Sequence, residues 1–263
     1  FQQYALFPNM TVRENIAAGV RRENRARRDE IVAAQLAALR LEDVRNNRPH
    51  QISGGQQQRT ALARILANAP ELILLDEPFS ALDSYLKWQV EMELADMLRG
   101  FSGASVFVSH DRDEVYRSCD SVCVLTGGKS EPKTSVKELF HSPRTLAACL
   151  ITGCKNYSAA RRIDGAHFAA SDWGATFETA PGDGAAAYLG VRSHDILPGD
   201  GKNRLVCTVE RRVEELFTDV AMLKTPGGGI LRMEMPGGTL PALKVGDSFT
   251  VHIEPEKIML LEG

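Results

Sequence analysis

The order of segments in QISGGQQQRTALARILANAPELILLDEP, residues 51–78, restricts the fold of this chain more than any other feature. A polar turn with two glycines leads directly into a segment whose apolar residues have helical spacing, and Pro70 ends that segment. The apolar run from Leu72 to Asp76 then predicts a parallel strand that is covered on both faces. Because Glu77 follows Asp76, the pattern places two carboxylates at the end of a buried strand.

Helices and apolar runs continue to alternate after this stretch. Residues 84–99 repeat the helical pattern, and the runs SVFVSH (105–110) and SVCVL (121–125) are predicted as a second and a third strand. Asp111, with Glu114 three residues later, is typical of a helix-capping box between those two strands. Strands separated by helices predict right-handed crossovers and an α/β fold with a parallel sheet.

The residues of this predicted sheet that could carry chemistry lie where its strands end. Ligands bind at the carboxyl ends of strands in such sheets, where the sequence places Asp76, Glu77 and His110. A strand that ends in Asp-Glu is typical of a Mg-nucleotide site, in which the first carboxylate holds the metal and the second activates water. The alternative is that the pair only caps the next turn, where Pro78 follows.

The composition of the chain changes near residue 150. Residues 1–150 carry the α/β pattern, and residues 151–263 consist of short alternating runs broken by glycine and proline, which predicts a small all-β domain. The segment Val12–Leu41 is rich in Ala, Arg and Glu and is predicted to be helical. Its arginines are interspersed with acidic residues, and the net charge of the chain is −3, so we expect no nucleic-acid partner.

Four segments, ISGGQQQR, LILLDEP, SALD and VSHD, follow one another as they do in the ATP-binding cassette (ABC) ATPases, and the chain resembles that family. In the family the polar turn is the signature motif, the strand with its carboxylates is the Walker B motif, and a helix joins the two. The resemblance implies a P-loop NTPase-like parallel sheet with a helical subdomain at about residues 12–50. It also implies a TOBE-type regulatory domain, an OB-like β-barrel, over residues 151–263.

The resemblance assigns a role to each matching residue. Asp76 would support Mg²⁺, Glu77 would polarise the attacking water, and His110 would be the switch histidine that contacts the γ-phosphate of ATP. The signature residues would contact the γ-phosphate of an ATP held by the opposite subunit of a head-to-tail dimer, and they are Ser53, Gly54, Gly55 and Gln56.

Two further roles follow from the resemblance. Asp83 in SALD would lie across the dimer interface. The segment FQQYALFP resembles the Q-loop, in which Gln2 would touch both Mg²⁺ and the attacking water and would report to the transport partner. The alternative for Gln2 is that it belongs to a frayed chain end.

The phosphate loop of the family, G-x-x-x-x-G-K-[ST], does not occur in this sequence. The chain starts at Phe1 rather than at methionine, and we expect a fragment or a processed product. We expect these residues alone to bind and hydrolyse ATP poorly, while still presenting residues 53–56 to an intact partner. A non-catalytic regulatory subunit is the alternative to an ATPase.

The second domain indicates a solute class. The segments TGCKN (152–156) and GVRSHDI (190–196) are most similar to those of molybdate importer ATPases, and sulfate, iron or sugar import are the alternatives. An oxyanion could bind four arginines of this domain, for which solvated surface charge is the alternative reading: Arg192, Arg204, Arg211 and Arg212.

The resemblance also implies partners and a place in the cell. The partners would be membrane permease subunits, a second ATPase subunit and, indirectly, a periplasmic or extracellular solute-binding protein. The protein would lie peripherally on the cytoplasmic face of the plasma membrane.

Overall fold

Five helices and one pair of strands build the first part of the chain in the computed structural model, which describes residues 5–79, 84–181 and 186–263. The helices are α1 Val12–Ala17, α2 Arg25–Ala38, α3 Gly54–Leu66, α4 Ser84–Arg99 and α5 Arg112–Ser118. The strands are β1 Leu72–Asp76 and β2 Ala104–Val108, and single-turn 3-10 helices lie at Glu42–Val44 and Pro49–Gln51. These elements form the compact unit Phe1–Ser118, and a second compact unit is Cys119–Gly263.

Side-chain caps fix where the first helices begin. Thr11 and Glu14 form a capping box at α1, in which Glu14 N donates to Thr11 Oγ1 (3.2 Å) and Thr11 N donates to Glu14 Oε2 (2.7 Å). Asn24 accepts from the backbone of Arg27 at the start of α2 (2.9 Å). Both helices bury their apolar faces in the core of the first unit. The prediction of helices over Val12–Leu41 is therefore confirmed.

Strands β1 and β2 pair in parallel, as predicted, in a two-stranded sheet. The prediction that β1 is covered on both faces is wrong. Side chains of a strand alternate between the faces of its sheet, and Ile73 and Leu75 pack in the core while Leu72 and Leu74 are 49% and 68% exposed. The described elements of the first unit thus cover one face of the sheet, and the apolar side chains of its other face remain accessible.

The predicted third parallel strand, residues 121–125, is also wrong. Ser121–Val122 (β3) pairs antiparallel with Thr134–Ser135 (β6), and Leu125–Thr126 (β4) pairs antiparallel with Lys129–Ser130 (β5). The turn between β4 and β5 is Gly127-Gly128, whose φ values of 54° and 76° are ones that glycine adopts without strain. This tight turn folds the chain back on itself, so the segment forms a hairpin instead of joining a crossover.

Two five-stranded antiparallel sheets dominate the second unit. Their strands are β7 Asn156–Arg162, β8 His167–Ala170, β9 Ala175–Glu178, β10 Tyr188–Val191, β11 Ile196–Pro198, β12 Leu205–Glu214, β13 Thr218–Lys224, β14 Ile230–Pro236, β15 Ser248–Ile253 and β16 Met259–Leu261. The orders are β16-β10-β7-β8-β9 and β11-β15-β12-β13-β14. The unit also contains helices α6 Val136–His141 and α7 Leu146–Ile151 and 3-10 turns at Ser193–Asp195 and Pro255–Lys257.

The inner faces of these two sheets share one core. Trp173 is 1% exposed and meets Phe177 edge to face, with ring centroids 5.1 Å apart. Val251 and Ile253 alternate inward along β15 and are fully buried. The fold class is thereby confirmed as α/β with an antiparallel, barrel-like OB-type region after it. Within the described residues, no helix combines the length and the apolar character that a membrane span requires.

The predicted domain boundary at 150/151 lies within the second unit. Thr145 forms a bridge with Glu262, and Cys149 packs with Cys154 and Leu261. These contacts join α7 to the sheets, so the compact units divide between Ser118 and Cys119 rather than after α7. The assignment of 1–150 as the ATPase domain and 151–263 as the regulatory domain stays a prediction.

Candidate functional site

Glu77 stands directly after β1 and extends the ladder of that strand by one hydrogen bond. Its backbone N–H donates to Val108 O (2.9 Å), while its φ of 43° turns the chain away from the sheet. A positive φ is unfavourable for a residue that has a Cβ, and residues held this way concentrate at functional sites. The backbone therefore fixes the point at which the Glu77 carboxylate leaves the sheet.

The side chains of Glu77 and His110 are in contact at the ends of the two strands. Glu77 Oε1 lies 2.8 Å from His110 Nδ1. The hydrogen bond to Glu77 and the charge of that carboxylate raise the pKa of His110 above its ordinary value. The side chains are 44% and 77% exposed, so a ligand can reach the pair. The structure brings together two groups that the sequence places at strand ends, and their roles stay predictions.

Asp76 completes the set of residues expected at this edge of the sheet. It is the last residue of β1, pairs with Val108 of β2 and is exposed. The structure thus places Asp76, Glu77 and His110 at the carboxyl ends of two neighbouring parallel strands. Because the Glu77 carboxylate reaches across to β2, the arrangement favours a site over the alternative of a simple turn cap.

The loop that carries His110 is held by the start of α5. Asp111 caps the helix as predicted, because its Oδ1 accepts from Glu114 N (3.3 Å). The reciprocal half of the predicted capping box is wrong. Asp111 N donates to Ser109 Oγ (2.9 Å), and the Glu114 carboxylate accepts from that hydroxyl (2.5 Å). Glu114 turns inward because it also pairs with Lys87 of α4, 2.6 Å away.

Lys87 is the residue of this region that the sequence reasoning missed. Its Nζ lies 2.6 Å from Asp111 Oδ2 and 2.6 Å from Glu114 Oε1. Burial by itself would lower the pKa of Lys87, but the hydrogen bonds to the two carboxylates raise it above its ordinary value. The available signal was the spacing of Lys87 and Glu91 in a predicted helix. That spacing is typical of a solvated helix face and does not indicate contact with the loop of His110.

The predicted signature turn is the N-terminal cap of α3. Gln56 N donates to Ser53 Oγ (3.3 Å) and Ser53 N donates to Gln56 Oε1 (2.9 Å), which is a capping box. Gly54 and Gly55 are the first two residues of the helix. Backbone N–H groups at such positions have no acceptor within the helix and lie at the positive end of its dipole. The turn therefore has the properties of an anion contact.

Helix α3 is tied to the turn that follows Glu77. Gln58 is 6% exposed, and its Nε2 donates to Pro78 O (3.2 Å). Thr60 is fully buried, and its hydroxyl donates a hydrogen bond to Gln56 O (2.7 Å). The signature turn and the strand end are thus parts of one packed unit, which is the arrangement that the order of segments indicates.

Gln2 and Asp83 lie outside the described residues, which begin at residue 5 and resume at residue 84 after a gap. Their predicted roles at the metal, the attacking water and the dimer interface stay predictions.

Three of the four arginines predicted as oxyanion contacts have partners within the second unit. The partners are the Thr152 and Phe140 carbonyls for Arg192 (2.9 and 2.5 Å), Asp200 for Arg204 (2.6 Å) and Glu214 for Arg212 (2.9 Å). These contacts favour structural roles for the three side chains. The oxyanion site stays a prediction.

Known proteins are similar to this chain in sequence. Residues 1–80 match the family described as ABC transporter. The spermidine/putrescine import ATP-binding protein PotA of Nitratidesulfovibrio vulgaris is 42% identical over 227 residues, which cover 83% of this chain and 58% of that protein. The protein of the same name from Lawsonia intracellularis is 35% identical over 257 residues, covering 95% of this chain and 67% of that protein.

A third relative extends along nearly the whole chain. The spermidine/putrescine import ATP-binding protein PotA 1 of Pseudomonas aeruginosa is 33% identical over 277 residues, which cover 99% of this chain and 75% of that protein. The chain thus spans between 58% and 75% of the length of these three relatives. With this similarity added to the capped signature turn and to the carboxylates and histidine at the strand ends, the chain belongs to the family of ATP-binding proteins of ABC importers.

Proposed function

We propose that the protein is the ATP-hydrolysing subunit of an ABC importer for polyamines. The observation that carries the proposal is the 2.8 Å contact between Glu77 Oε1 and His110 Nδ1 at the strand ends. A carboxylate and an imidazole held together at an accessible edge can orient a water and contact a phosphate oxygen at the same time. Orientation and electrostatic stabilisation are the main requirements of phosphoryl transfer.

The two side chains divide this work. The Glu77 carboxylate accepts a hydrogen bond from the attacking water and orients it toward the γ-phosphate. Nδ1 of His110 is hydrogen-bonded to Glu77, so Nε2 is the ring nitrogen that can contact the phosphate. Because contact with Glu77 raises the pKa of His110, the imidazole more readily carries the proton with which it donates a charge-assisted hydrogen bond to a phosphate oxygen.

Asp76 has the chemistry of a Mg²⁺ ligand. Mg²⁺ is usually bound through one or two carboxylates together with substrate phosphates and water, and Asp76 offers an exposed carboxylate at the end of β1. In the described ranges no group of three or more His, Cys, Asp and Glu side chains could hold an ion unaided. Phosphate oxygens and water would therefore complete the shell, and the bound ion would neutralise charge on the phosphates.

Residues 53–56 would act on a second nucleotide. The cap of α3 presents its serine and the N–H groups of its two glycines at the positive end of a 13-residue helix. We propose that this turn contacts the γ-phosphate of ATP bound to the opposite subunit of a head-to-tail dimer, with Asp83 at the interface. The dimer would couple hydrolysis to permease subunits at the cytoplasmic face of the membrane.

The names of the relatives support a polyamine as the solute. All three relatives described above carry the name of spermidine/putrescine import proteins, and none carries a name that points to molybdate. The resemblance of TGCKN and GVRSHDI to molybdate importers therefore has no support beyond those short segments. A polyamine is a cation, and the solute itself would be recognised by the permease and the solute-binding protein.

ATP hydrolysis tests the enzymatic part of this proposal. The assay uses a longer form of the protein with a phosphate-binding loop ahead of Phe1, because the 263 residues contain no such loop. Glu77→Gln should lower the rate by about 10²–10⁴-fold, the usual contribution of a positioned general base. Glu71→Gln, an exposed carboxylate just before β1, is the matched control and should keep the wild-type rate. Equal rates above background for Glu77→Gln and wild type would show that Glu77 does not act on the water, and no hydrolysis by wild type would favour the non-catalytic alternative.

Solute-dependent hydrolysis tests the transport part. The longer form is assembled with its permease and solute-binding protein in vesicles, and ATP hydrolysis is measured with spermidine, putrescine, molybdate and sulfate. Spermidine or putrescine should stimulate hydrolysis and accumulate inside the vesicles. Stimulation by molybdate alone would overturn the polyamine assignment and leave the ATPase assignment in place.

A further inference from the structure

A group of charged side chains lies behind the loop that carries His110. Glu91 of α4 and Glu114 of α5 are only 3% and 4% exposed. Burial of a carboxylate is unfavourable unless the group is paired and hydrogen-bonded. The group, here called the loop cluster, consists of Lys87, Glu91, Asp111, Glu114 and Arg117.

Close contacts pair the members of the loop cluster. Lys87 Nζ lies 2.6 Å from both Asp111 Oδ2 and Glu114 Oε1. Arg117 Nη2 lies 2.5 Å from Glu91 Oε2, and Lys87 Nζ is 4.0 Å from Glu91 Oε1. Helices α4 and α5 are therefore joined through ion pairs to two buried carboxylates, with Lys87 at the centre.

The loop cluster holds the chain on both sides of His110. Before it, the Ser109 hydroxyl donates to Glu114 Oε2 (2.5 Å) and accepts from Asp111 N (2.9 Å). After it, Asp111 is bound by Lys87 and caps α5. The His110 side chain itself is 77% exposed, so packing does little to fix its position. The placement of the imidazole against Glu77 depends on these flanking anchors.

We propose that Lys87 and Glu114 are positioning residues that hold the 109–111 loop so that the imidazole of His110 reaches Glu77. Lys87 bridges the two anchors of the loop, and Glu114 links Lys87 to Ser109. The catalytic role of the Glu77–His110 pair rests on the proposed function. The contact between the two side chains is observed in the structure and does not depend on that function.

Lys87 lies close in sequence to the residue proposed for the subunit interface. Helix α4 begins at Ser84, directly after Asp83, the residue proposed to lie at the interface between subunits. Lys87 is in the first turn of that helix. The same helix therefore runs from the proposed interface residue to the anchor of the His110 loop.

The titration of His110 measures its contact with Glu77 without nucleotide. The groups that act on its charge are Glu77, Glu114 and Asp111, and Lys87 partly neutralises the last two. Removing the charge of Lys87 would by itself raise the pKa of His110, because two carboxylates would act uncompensated. Release of the loop would lower that pKa, because contact with Glu77 is the largest cause of its rise. The two effects have opposite signs.

The experiment follows the imidazole resonances by NMR across a pH titration of the 263-residue chain. The chain has six histidines, and the resonance lost in His110→Gln identifies the signal of interest. Lys87→Met should shift the pKa of His110 downward, toward the ordinary histidine value, and Lys87→Arg should keep it raised. Lys137→Met, an exposed lysine of α6, is the control and should leave it unchanged.

A double variant keeps the test decisive if Lys87→Met fails to fold. Lys87→Met combined with Glu114→Gln removes one positive and one negative charge, so the net charge of the loop cluster is unchanged. It should also lower the pKa of His110. A folded single or double variant in which that pKa is unchanged or raised would overturn the proposal. This outcome is independent of ATP hydrolysis, so it is distinguishable from failure of the proposed function.

Discussion

The Glu77 carboxylate, at the end of β1, lies 2.8 Å from Nδ1 of His110, which follows the neighbouring strand 33 positions later in the sequence. The backbone of Glu77 leaves β1 with a φ of 43°, and the loop of His110 contacts the ion pairs of Lys87 behind it. Two parallel strands thus bring one acidic and one basic group to the same accessible edge.

The Glu77–His110 contact should make folding stability depend on pH. A histidine whose pKa is raised in the folded state contributes stability that is present below its unfolded pKa and is lost as pH rises through its folded pKa. The difference in the free energy of unfolding between wild type and Glu77→Gln should therefore shrink between about pH 6 and about pH 8. Urea denaturation at both pH values measures it. A difference that grows with pH would contradict the contact.

The backbone of Glu77 should store strain. A residue with a Cβ in the left-handed region is disfavoured by about 1–2 kcal/mol, whereas glycine adopts it freely. Glu77→Gly should therefore be more stable than Glu77→Gln by about 0.5–1 kcal/mol in urea denaturation, after the entropy cost of glycine. At Glu71, whose φ is negative, the order of stability should be reversed, so that Glu71→Gly is less stable than Glu71→Gln. If the glycine variant were the less stable one at both positions, strain at Glu77 would be contradicted.

The cap of α3 should contribute to stability independently of any nucleotide. Ser53→Ala removes the acceptor of Gln56 N and should lower the free energy of unfolding by about 1 kcal/mol, while Ser53→Asp should retain most of it. Ser102→Ala, an exposed serine before β2, serves as the control and should change it by less than about 0.5 kcal/mol. Thermal or urea unfolding measures each variant. No loss in Ser53→Ala would show that the cap is not formed in solution.

Asn156 should be a stabilising link between the two sheets of the second unit. Its amide is 1% exposed, donates to Arg232 O (2.9 Å) and Val191 O (3.3 Å), and accepts from Arg232 N (2.6 Å). Asn156→Ala removes this partner from the backbone N–H and C=O of Arg232 and should lower the free energy of unfolding by about 1–3 kcal/mol. Asn68→Ala, at an exposed asparagine, should stay within about 0.5 kcal/mol of wild type. A similar small change in both variants would contradict the link.

Hydrophobic periodicity and helix-end signals predicted correctly the helices and strands that depend on local contacts. The helix predicted over 84–99 is α4, and the strands predicted at 72–76 and 105–110 are β1 and β2 within two residues. The convergence of Glu77 and His110 followed from the rule that parallel strands end at one edge. These inferences needed only the order of elements along the chain.

Other features depend on partners that are distant in sequence. Apolar content alone did not distinguish a strand covered on both faces from β1, in which Leu74 is 68% exposed. The run at 121–125 has strand composition, but the glycine turn after it decides its pairing. Lys87 reaches Asp111 over 24 positions, and nothing in the local pattern of α4 indicates that contact.

Joint action of Glu77 and His110 on the terminal phosphate of ATP is the central claim, and a double-mutant cycle in ATP hydrolysis tests it most directly. Rates are measured for wild type, Glu77→Gln, His110→Ala and the double variant, in the longer form with a phosphate-binding loop. Groups that act as one unit are strongly non-additive, so the double variant should be about as slow as the slower single variant. If the two losses instead multiply, the residues act independently and the account is contradicted.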